Sequence, residues 1–145
     1  MADSAATALD MSNHLEATAG KVELYAQAAT KASTQGSAVM AGRGWYQILV
    51  EVTAIEVDTD DEEYVVDIEA NTADTTGTWY RIGTAYFDGA QERSMRSADG
   101  AVGTQLCAVY NPFDYQIRAT VGVAGTVGTG INVGVWAIAM PALGR

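Results

Sequence analysis

The chain has little of the side-chain chemistry on which most catalytic and metal sites depend. It contains one cysteine, Cys107, and one histidine, His14, among 145 residues. No internal disulfide can form from one cysteine, and a zinc site of cysteine and histidine would have too few ligands. A serine triad would need His14 as its base, and no nucleophile motif lies near it. Because Cys107 sits in an apolar run, we interpret it as a buried structural thiol.

Positive charge is also scarce. Eight lysines and arginines face 18 acidic residues, which gives a net charge of −10 and a pI near 4.2. Such a surface repels phosphate backbones and anionic lipids, so nucleic acids and membranes are not expected partners. No apolar run approaches the ~20 residues of a membrane helix. Residues 1–4 lack the features of a secretory signal, and we therefore expect synthesis in a cytoplasm.

Helical periodicity is missing, and from Trp45 onward the apolar residues recur with a period of two. Turns rich in Gly, Asn and Asp separate the alternating stretches. Six or seven strands without helices between them indicate antiparallel pairing, and two packed sheets would bury their apolar faces. The predicted fold is all-β, an antiparallel β-sandwich or jelly roll. The alternating stretches are residues 45–57, 64–70, 79–87, 106–110, 115–123 and 131–139.

The expected organisation is a single domain, residues 21–145, preceded by an extended N-terminal arm, residues 1–20. The arm is polar and rich in Ala, Ser and Thr, so it either orders along a neighbouring subunit or forms a disordered tail. Residues 21–26 alternate as a short strand does, whereas residues 26–31 also fit a helical turn. Residues 34–44 are predicted to be a loop because they contain three glycines.

The acidic turn at residues 58–63 is the best candidate for a site. Three of its acids and one beyond it suggest a calcium-loop spacing, with positions 1, 3, 5 and 12 occupied by Asp58, Asp60, Glu62 and Glu69. Position 6 is normally glycine, but here it is Glu63, and Glu69 belongs to an alternating strand. We therefore favour a solvated turn with no metal and no cofactor. The candidates for ligands of a hard cation are Asp58, Asp60, Asp61 and Glu62.

No other pattern indicates catalysis. The strand-borne acids Glu51, Asp67 and Glu69 look like ordinary outward residues and not like a glycosidase pair. The glycines between residues 122 and 130 lie between two strands, without the helix N-terminus of a phosphate loop. We predict that the protein is not an enzyme and has no catalytic residue. An acidic hydrolase of the sandwich type is the least favoured alternative.

Three aromatic residues near strand starts leave a second binding hypothesis open. Trp45, Trp79 and Tyr80 could form a platform on which a sugar ring stacks, assisted by calcium in the acidic turn. The same residue types also fit core or interface packing. A carbohydrate-binding β-sandwich module is therefore the alternative function.

Residues 45–140 resemble the small β-sandwich or jelly-roll head decoration proteins, also called capsid cement proteins, of tailed bacteriophages. A polar arm before the domain also fits that family. Three segments carry the resemblance: Asp74-Thr75-Thr76-Gly77-Thr78-Trp79 leading into Tyr80-Arg81-Ile82-Gly83, Tyr115-Gln116-Ile117-Arg118-Ala119-Thr120-Val121, and Ile131-Asn132-Val133-Gly134-Val135.

The resemblance implies a virion structural protein that binds the outside of an icosahedral phage capsid and stabilises it. It implies the capsid surface as its location, and the major capsid protein and its own copies, in a homotrimer, as its partners. It assigns no catalytic residue and no capsid contact. Trimer formation would bury apolar residues on the second faces of the strands. The interface candidates are Leu49, Ile55, Val65, Trp136 and Ile138.

Overall fold

The computed structural model describes residues 21–56, 58–59, 61–73, 76–88 and 103–140. These residues form strands, turns and extended loops, so the prediction of an all-β chain is confirmed. No helix among them is long and apolar enough to cross a membrane. The predicted N-terminal arm lies outside the described residues, as do His14 and Asp60. The strands are β1 (Val22–Thr30), β2 (Thr34–Gln35), β3 (Val39–Met40), β4 (Gly44–Ile55), β5 (Glu63–Asn71), β6 (Trp79–Asp88), β7 (Gly103–Asn111), β8 (Gln116–Ala124) and β9 (Ile131–Ala139).

Two antiparallel sheets pack face to face as the predicted β-sandwich. Sheet A has the strand order β1-β9-β4-β7. Sheet B has the order β2-β8-β5-β6, and the short strand β3 also pairs with β8. Only the connections β2–β3 and β5–β6 stay within one sheet, and every other connection between these strands crosses to the opposite sheet. If β2 and β3 count as one interrupted strand, this is the order of an eight-stranded jelly roll.

The core lies between the sheets and is built by every second side chain of the central strands. In β8 and β9 the inward residues are those that the period of two predicts, because Ile117, Val121, Val133 and Val135 are at most 1% exposed. Strands β4 and β5 complete the core with the side chains of Tyr46, Ile48, Val50, Val52, Tyr64, Val66, Ile68 and Ala70.

A β-bulge near the end of β4 changes which side chains point inward. The register of β4 against β9 shifts between Val52 and Ala54, and the alternation changes phase there. Ile55 consequently points into the core, where it is 9% exposed, whereas Ala54 is exposed. The prediction that Ile55 lies on the outer face of its strand is therefore wrong.

The segment before Trp45 is more ordered than the sequence indicates. Strand β1 runs without interruption to Thr30, so the helical-turn alternative for residues 26–31 is wrong. The loop predicted at residues 34–44 contains β2 and β3, two strands of two residues each that pair with β8. Such short strands leave no period for sequence analysis to detect.

Three connections meet at one end of the sandwich, which we call the acidic end. Thr30 of β1 and Ile55 of β4 both lie opposite Ile131, the first residue of β9. The backbone N–H of Glu56 donates to the carbonyl of Gly130 at 2.9 Å. The β1–β2, β4–β5 and β8–β9 connections therefore converge there.

Candidate functional site

The acidic end is built by two loops that are distant in sequence, the β4–β5 loop and the β8–β9 loop. Glu56 follows directly after β4, and its carboxylate reaches the backbone of the β8–β9 loop. Its Oε1 accepts the N–H groups of Gly128, Thr129 and Gly130 at 2.8, 2.7 and 2.8 Å. These hydrogen bonds, that of Gly130 first, lower the pKa of Glu56. The carboxylate is thus held as an anion in a nest of backbone N–H groups.

Asp61 makes a second connection between the same loops. Its Oδ1 accepts the Thr59 hydroxyl at 2.6 Å and the Thr126 N–H at 3.0 Å, and its Oδ2 accepts the Thr126 hydroxyl at 2.8 Å. The Thr59 hydroxyl first, and then the donors of Thr126, lower the pKa of Asp61. The backbone of Gly125, with φ of +93°, approaches so closely that a Cβ there would overlap the Asp61 carbonyl oxygen. Asp61 therefore joins the β4–β5 loop to the β8–β9 loop by hydrogen bonds.

Glu62 is the unusual carboxylate of the acidic end. The side chain is fully buried, and its Oε1 accepts the Thr59 N–H at 2.9 Å. Its Oε2 has no hydrogen-bond partner among the described residues. Burial by itself would raise the pKa of Glu62, but hydrogen bonds from Thr59 and from its own N–H outweigh burial and lower it. A buried, charged oxygen without a partner is strongly unfavourable unless a positive charge or a shared proton reaches it.

Glu62 belongs to a cluster of three carboxylates. One carboxylate oxygen from each of Glu56, Asp58 and Glu62 lies within 4.8 Å of the other two. The pKa of Asp58 is raised, first by a side-chain hydrogen bond with Glu62 that requires the protonated form of Asp58, then by burial and by the charge of Glu56. The described arginines do not neutralise the cluster, because each forms its ion pair elsewhere: Arg43 with Asp114, Arg81 with Asp67, and Arg118 with Glu69. The cluster has the oxygen donors that hard cations prefer.

Only part of the predicted metal set comes together. Asp58 and Glu62 belong to the cluster, whereas Asp61 turns towards Thr126. Glu69, at position 12 of the calcium-loop spacing, lies on β5 and accepts a hydrogen bond from Arg118 Nε at 2.7 Å. Glu69 is therefore engaged on its strand, and Asp60, at position 3 of the spacing, lies outside the described residues.

Sequence reasoning missed Glu56. It places the start of the acidic turn at Asp58 and assigns the residues before it to a strand. The available signal was a carboxylate directly after a strand end, which is too common to be specific. Glu56 is recognisable only once the backbone N–H groups of residues 128–130 are known to face it.

A second candidate surface is the outer face of sheet A. Three of the predicted interface residues lie there, half-buried: Leu49 on β4, and Trp136 and Ile138 on β9. Trp45 and Tyr110 extend this surface, with exposures of 54% and 41% and ring centroids 5.3 Å apart. These five apolar side chains lie on three neighbouring strands, with Gln47 among them, and we call them the apolar strip.

Trp136, on β9, lies at the side of this strip nearest β1, and two neighbouring residues contact its ring. A Cβ on Gly134 would overlap the Trp136 ring, so the indole lies flat over the backbone of its own strand. The Lys21 ammonium lies 4.8 Å from the ring centroid, which is a cation–π contact. The ring is therefore fixed in place as part of the surface.

The outer face of sheet B has a different character. Val65, another interface candidate, lies there opposite Tyr86 of β6, on the far side of the sandwich from Leu49. Most of this face is polar. A shallow groove crosses it, lined by Ser33, Thr34, Gln35, Asp67, Glu69, Arg118, Thr120, Val121 and Gly122.

The aromatic residues predicted to form a sugar platform are not together. Trp45 belongs to sheet A, whereas Trp79 belongs to sheet B and carries the Arg118 guanidinium 4.0 Å from its ring centroid. Tyr80 faces Phe113 with a centroid distance of 6.2 Å. The three residues therefore do not form one stacking surface.

Cys107 packs against the core and is half-buried. Burial raises the pKa of its thiol, which keeps the sulfur protonated near neutral pH. This environment agrees with a structural thiol.

The acidic cluster, the apolar strip and the polar groove of sheet B are the surfaces of the described residues that suggest binding. Neither a protein-family model nor a curated protein matches the chain, so a function has to be argued from the fold and these surfaces.

Proposed function

We propose that this protein is a structural component of a tailed-phage virion that binds the outside of the icosahedral capsid and stabilises it. The observation that carries the proposal is the apolar strip on the outer face of sheet A. A solvated sheet face ordinarily presents polar side chains. Here Leu49, Trp136 and Ile138 occupy it, flanked by exposed Trp45 and Tyr110. Contiguous apolar patches and exposed aromatic residues are typical of protein interfaces.

The fold and the charge support the same function. Jelly rolls are a recurrent architecture of viral capsid proteins. Of the segments that resemble decoration proteins, residues 79–83 begin β6, residues 116–121 lie in β8 and residues 131–135 lie in β9. The net charge of −10 suits a particle component whose free surface faces solvent. Fold analogy alone does not fix a function, and the apolar strip supplies the site-level argument.

We assign the apolar strip to the contact between copies in a homotrimer. In a cyclic trimer each copy uses two different patches, so the strip packs against another surface of its neighbour. Val65, on the opposite face, is available for that second surface. The major capsid protein is then contacted by the assembled trimer.

Light scattering coupled to size exclusion tests this assembly. The wild-type protein is expected to elute as a trimer. Leu49→Lys places a charge in the strip and is expected to yield monomers that remain folded by circular dichroism. Thr84→Lys, an exposed change on sheet B, is the matched control and should leave the trimer intact. A monomeric wild-type protein would contradict the trimer.

Co-sedimentation tests the capsid partner. Heads that lack this protein are prepared from the phage that carries its gene. Purified protein is mixed with these heads, the heads are sedimented, and the amount of protein in the pellet is measured. Saturable binding to heads, together with greater resistance of the heads to heating, is expected. Binding that is absent in both the wild-type protein and the Thr84→Lys control would exclude the decoration role.

Carbohydrate binding is the second candidate, and the polar groove on the outer face of sheet B is the observation that favours it. Asp67, Glu69 and Arg118 line that groove and offer the paired acceptors and donors that sugar hydroxyls require. A glycan array probed with wild-type protein and with Asp67→Asn distinguishes the two functions. Specific binding that the variant loses, without loss of fold, would favour the carbohydrate-binding module.

A further inference from the structure

We propose that the acidic end binds one divalent cation of the calcium type through the carboxylates of Glu56, Asp58 and Glu62. The ion joins the β4–β5 loop to the β8–β9 loop. This site is separate from the trimer contact proposed above, because it lies on the loops and not on the outer face of sheet A.

The first argument is the orphaned oxygen of Glu62. Its Oε2 is buried, lacks a hydrogen-bond partner among the described residues, and is part of a side chain that is 0% exposed. A cation at the cluster supplies the missing partner. Asp58 and Glu56 then become further ligands of the same ion instead of repelling Glu62.

The second argument is the capacity of Glu56. Its Oε1 already accepts three backbone N–H groups, but its Oε2 accepts only that of Gly128, at 3.1 Å. Each carboxylate oxygen has two lone pairs, so Oε2 can still bind a cation. Glu56 can therefore accept hydrogen bonds from the β8–β9 loop with Oε1 and coordinate the ion with Oε2.

The third argument is the size of the cluster. Calcium binds oxygen at about 2.3–2.6 Å, so two ligands on opposite sides of the ion are about 5 Å apart. The three carboxylate oxygens lie within 4.8 Å of one another. Magnesium requires a tighter octahedron and usually retains several waters, whereas calcium accepts several carboxylates in an irregular shell. The separation admits either ion, and the convergence of three carboxylates makes calcium the better match.

Tyr64 lies beside the cluster, and its phenol provides a spectroscopic probe of ion binding. Its buried hydroxyl donates to the Glu56 carbonyl at 2.8 Å. Burial first, and then the charges of Glu56, Glu62 and Asp58, raise the pKa of Tyr64. A Tb³⁺ ion bound at the cluster lies close enough to this phenol for tyrosine excitation to sensitise terbium emission.

Terbium titration followed by Ca²⁺ competition tests the site. Sensitised emission is expected for the wild-type protein and should be displaced by Ca²⁺. Glu62→Gln retains the shape of the side chain, removes its charge, and should weaken binding by about tenfold or more. The control is Glu63→Gln, which removes the same charge from the exposed neighbouring residue and should bind as the wild type does.

Thermal unfolding gives an independent readout. Saturating Ca²⁺ is expected to raise the Tm of the wild type and of Glu63→Gln by about 5 °C over the value in EDTA. The rise should be lost in Glu62→Gln. If that variant does not fold, Asp58→Asn replaces it, since Asp58 is exposed and its substitution leaves the core intact.

A shared proton between Asp58 and Glu62 is the competing explanation for the orphaned oxygen. In that case neither Tb³⁺ nor Ca²⁺ binds, and the Tm in EDTA equals the Tm in Ca²⁺. That result overturns the proposal. Equal binding by the wild type, Glu62→Gln and Asp58→Asn overturns it as well, because the ion would then lie elsewhere.

Discussion

Among single residues, Glu56 determines how the acidic end responds to acid. Its folded-state pKa lies below the ordinary value of 4.5, because backbone N–H groups, first that of Gly130, bind the charged form. Such a group contributes stability that is fully present above pH 4.5 and is lost as the pH falls through the lower folded value. We predict that Glu56→Gln lowers the Tm at pH 7 and that its difference from wild type narrows below pH 4.5.

Thermal unfolding followed by circular dichroism between about pH 7 and pH 3 measures this difference. EDTA in all samples separates the effect of the N–H nest from any bound cation. Glu63→Gln is the matched control. It removes a carboxylate outside the N–H nest, so it should not lower the Tm at pH 7 as Glu56→Gln does. A gap between wild type and Glu56→Gln that widens on acidification would contradict the prediction.

Tyr46 determines how the stability of the protein responds to alkali. Its pKa is shifted in the opposite direction to that of Glu56. Burial, opposed in part by a hydrogen bond to the Gly42 carbonyl at 2.8 Å, raises the pKa of Tyr46 from 10.0 to about 12. Because the folded state favours the neutral phenol, the resulting stability is present below pH 10 and is lost between pH 10 and pH 12. A shift of this size corresponds to about 2–3 kcal/mol.

We therefore predict that Tyr46→Phe unfolds at nearly the same denaturant concentration as wild type at pH 7 and is more stable relative to it above pH 10. At pH 7 the cost is about 1 kcal/mol or less, since the Gly42 carbonyl keeps a second donor, Asn111 Nδ2, at 3.2 Å. Urea unfolding from pH 7 to about pH 11.5 checks this. If the free energy of unfolding of Tyr46→Phe differed from that of the wild type by the same amount at every pH, the prediction would be refuted.

Among the secondary-structure elements, the turn before β9 depends on one glycine. Gly130 has φ of +82°, and a Cβ there would overlap the Thr30 carbonyl oxygen at the end of β1. Alanine would therefore be strained in its backbone and would push β1 away from β9. We predict that Gly130→Ala lowers the free energy of unfolding by about 2 kcal/mol or more.

Gly122→Ala is the matched control for this turn. Gly122 lies within β8, and a Cβ there would meet the Val65 carbonyl oxygen at an ordinary 3.8 Å. Its substitution should be neutral, or stabilising by up to about 1 kcal/mol, because alanine restricts the unfolded chain. Urea unfolding with a constant m-value measures both variants. Equal effects of the two substitutions would show that the positive φ of Gly130 is unimportant.

The strands also show how far sequence periodicity extends. The inward faces of β8 and β9 follow directly from the period of two, since both strands lie inside a sheet and alternate without interruption. The face of Ile55 does not, because the bulge after Val52 is set by the register with β9. In β6 a register shift opposite Ile68 and Glu69 has the same consequence. Local sequence specifies alternation, but partner strands specify where it changes phase.

For the whole molecule, the candidate cation site could not be predicted from any one segment. Asp58 and Glu62 are visible as an acidic turn, but Glu56 acquires its role from backbone N–H groups 72 to 74 residues further along the chain. The crossing of β4–β5 and β8–β9 at the same end brings these segments together. The apolar strip of sheet A was more predictable, because Leu49, Trp136 and Ile138 already stand out as apolar residues on second faces.

The charge of the whole molecule has a consequence that no single residue sets. The chain has a net charge of −10, and the ion pairs of the described arginines involve only three of its acids. In about 0.01 M salt the Debye length is about 30 Å, so like charges across the whole domain repel each other. At about 0.15 M it is about 8 Å, and most of that repulsion is screened. Repulsion of this kind destabilises the compact state more than the expanded unfolded chain.

We therefore predict that the Tm at pH 7, in EDTA, rises by a few degrees as NaCl increases from about 0.01 M to about 0.15 M. The rise should disappear near pH 4.2, where the net charge approaches zero and there is little repulsion to screen. Sodium chloride is the appropriate salt, because sulfate stabilises folded proteins by exclusion from their surface. If the Tm rose equally at both pH values, screening of the net charge would not be the cause. The acids would then lie far enough apart, or be sufficiently well bonded, for the sandwich to tolerate its charge.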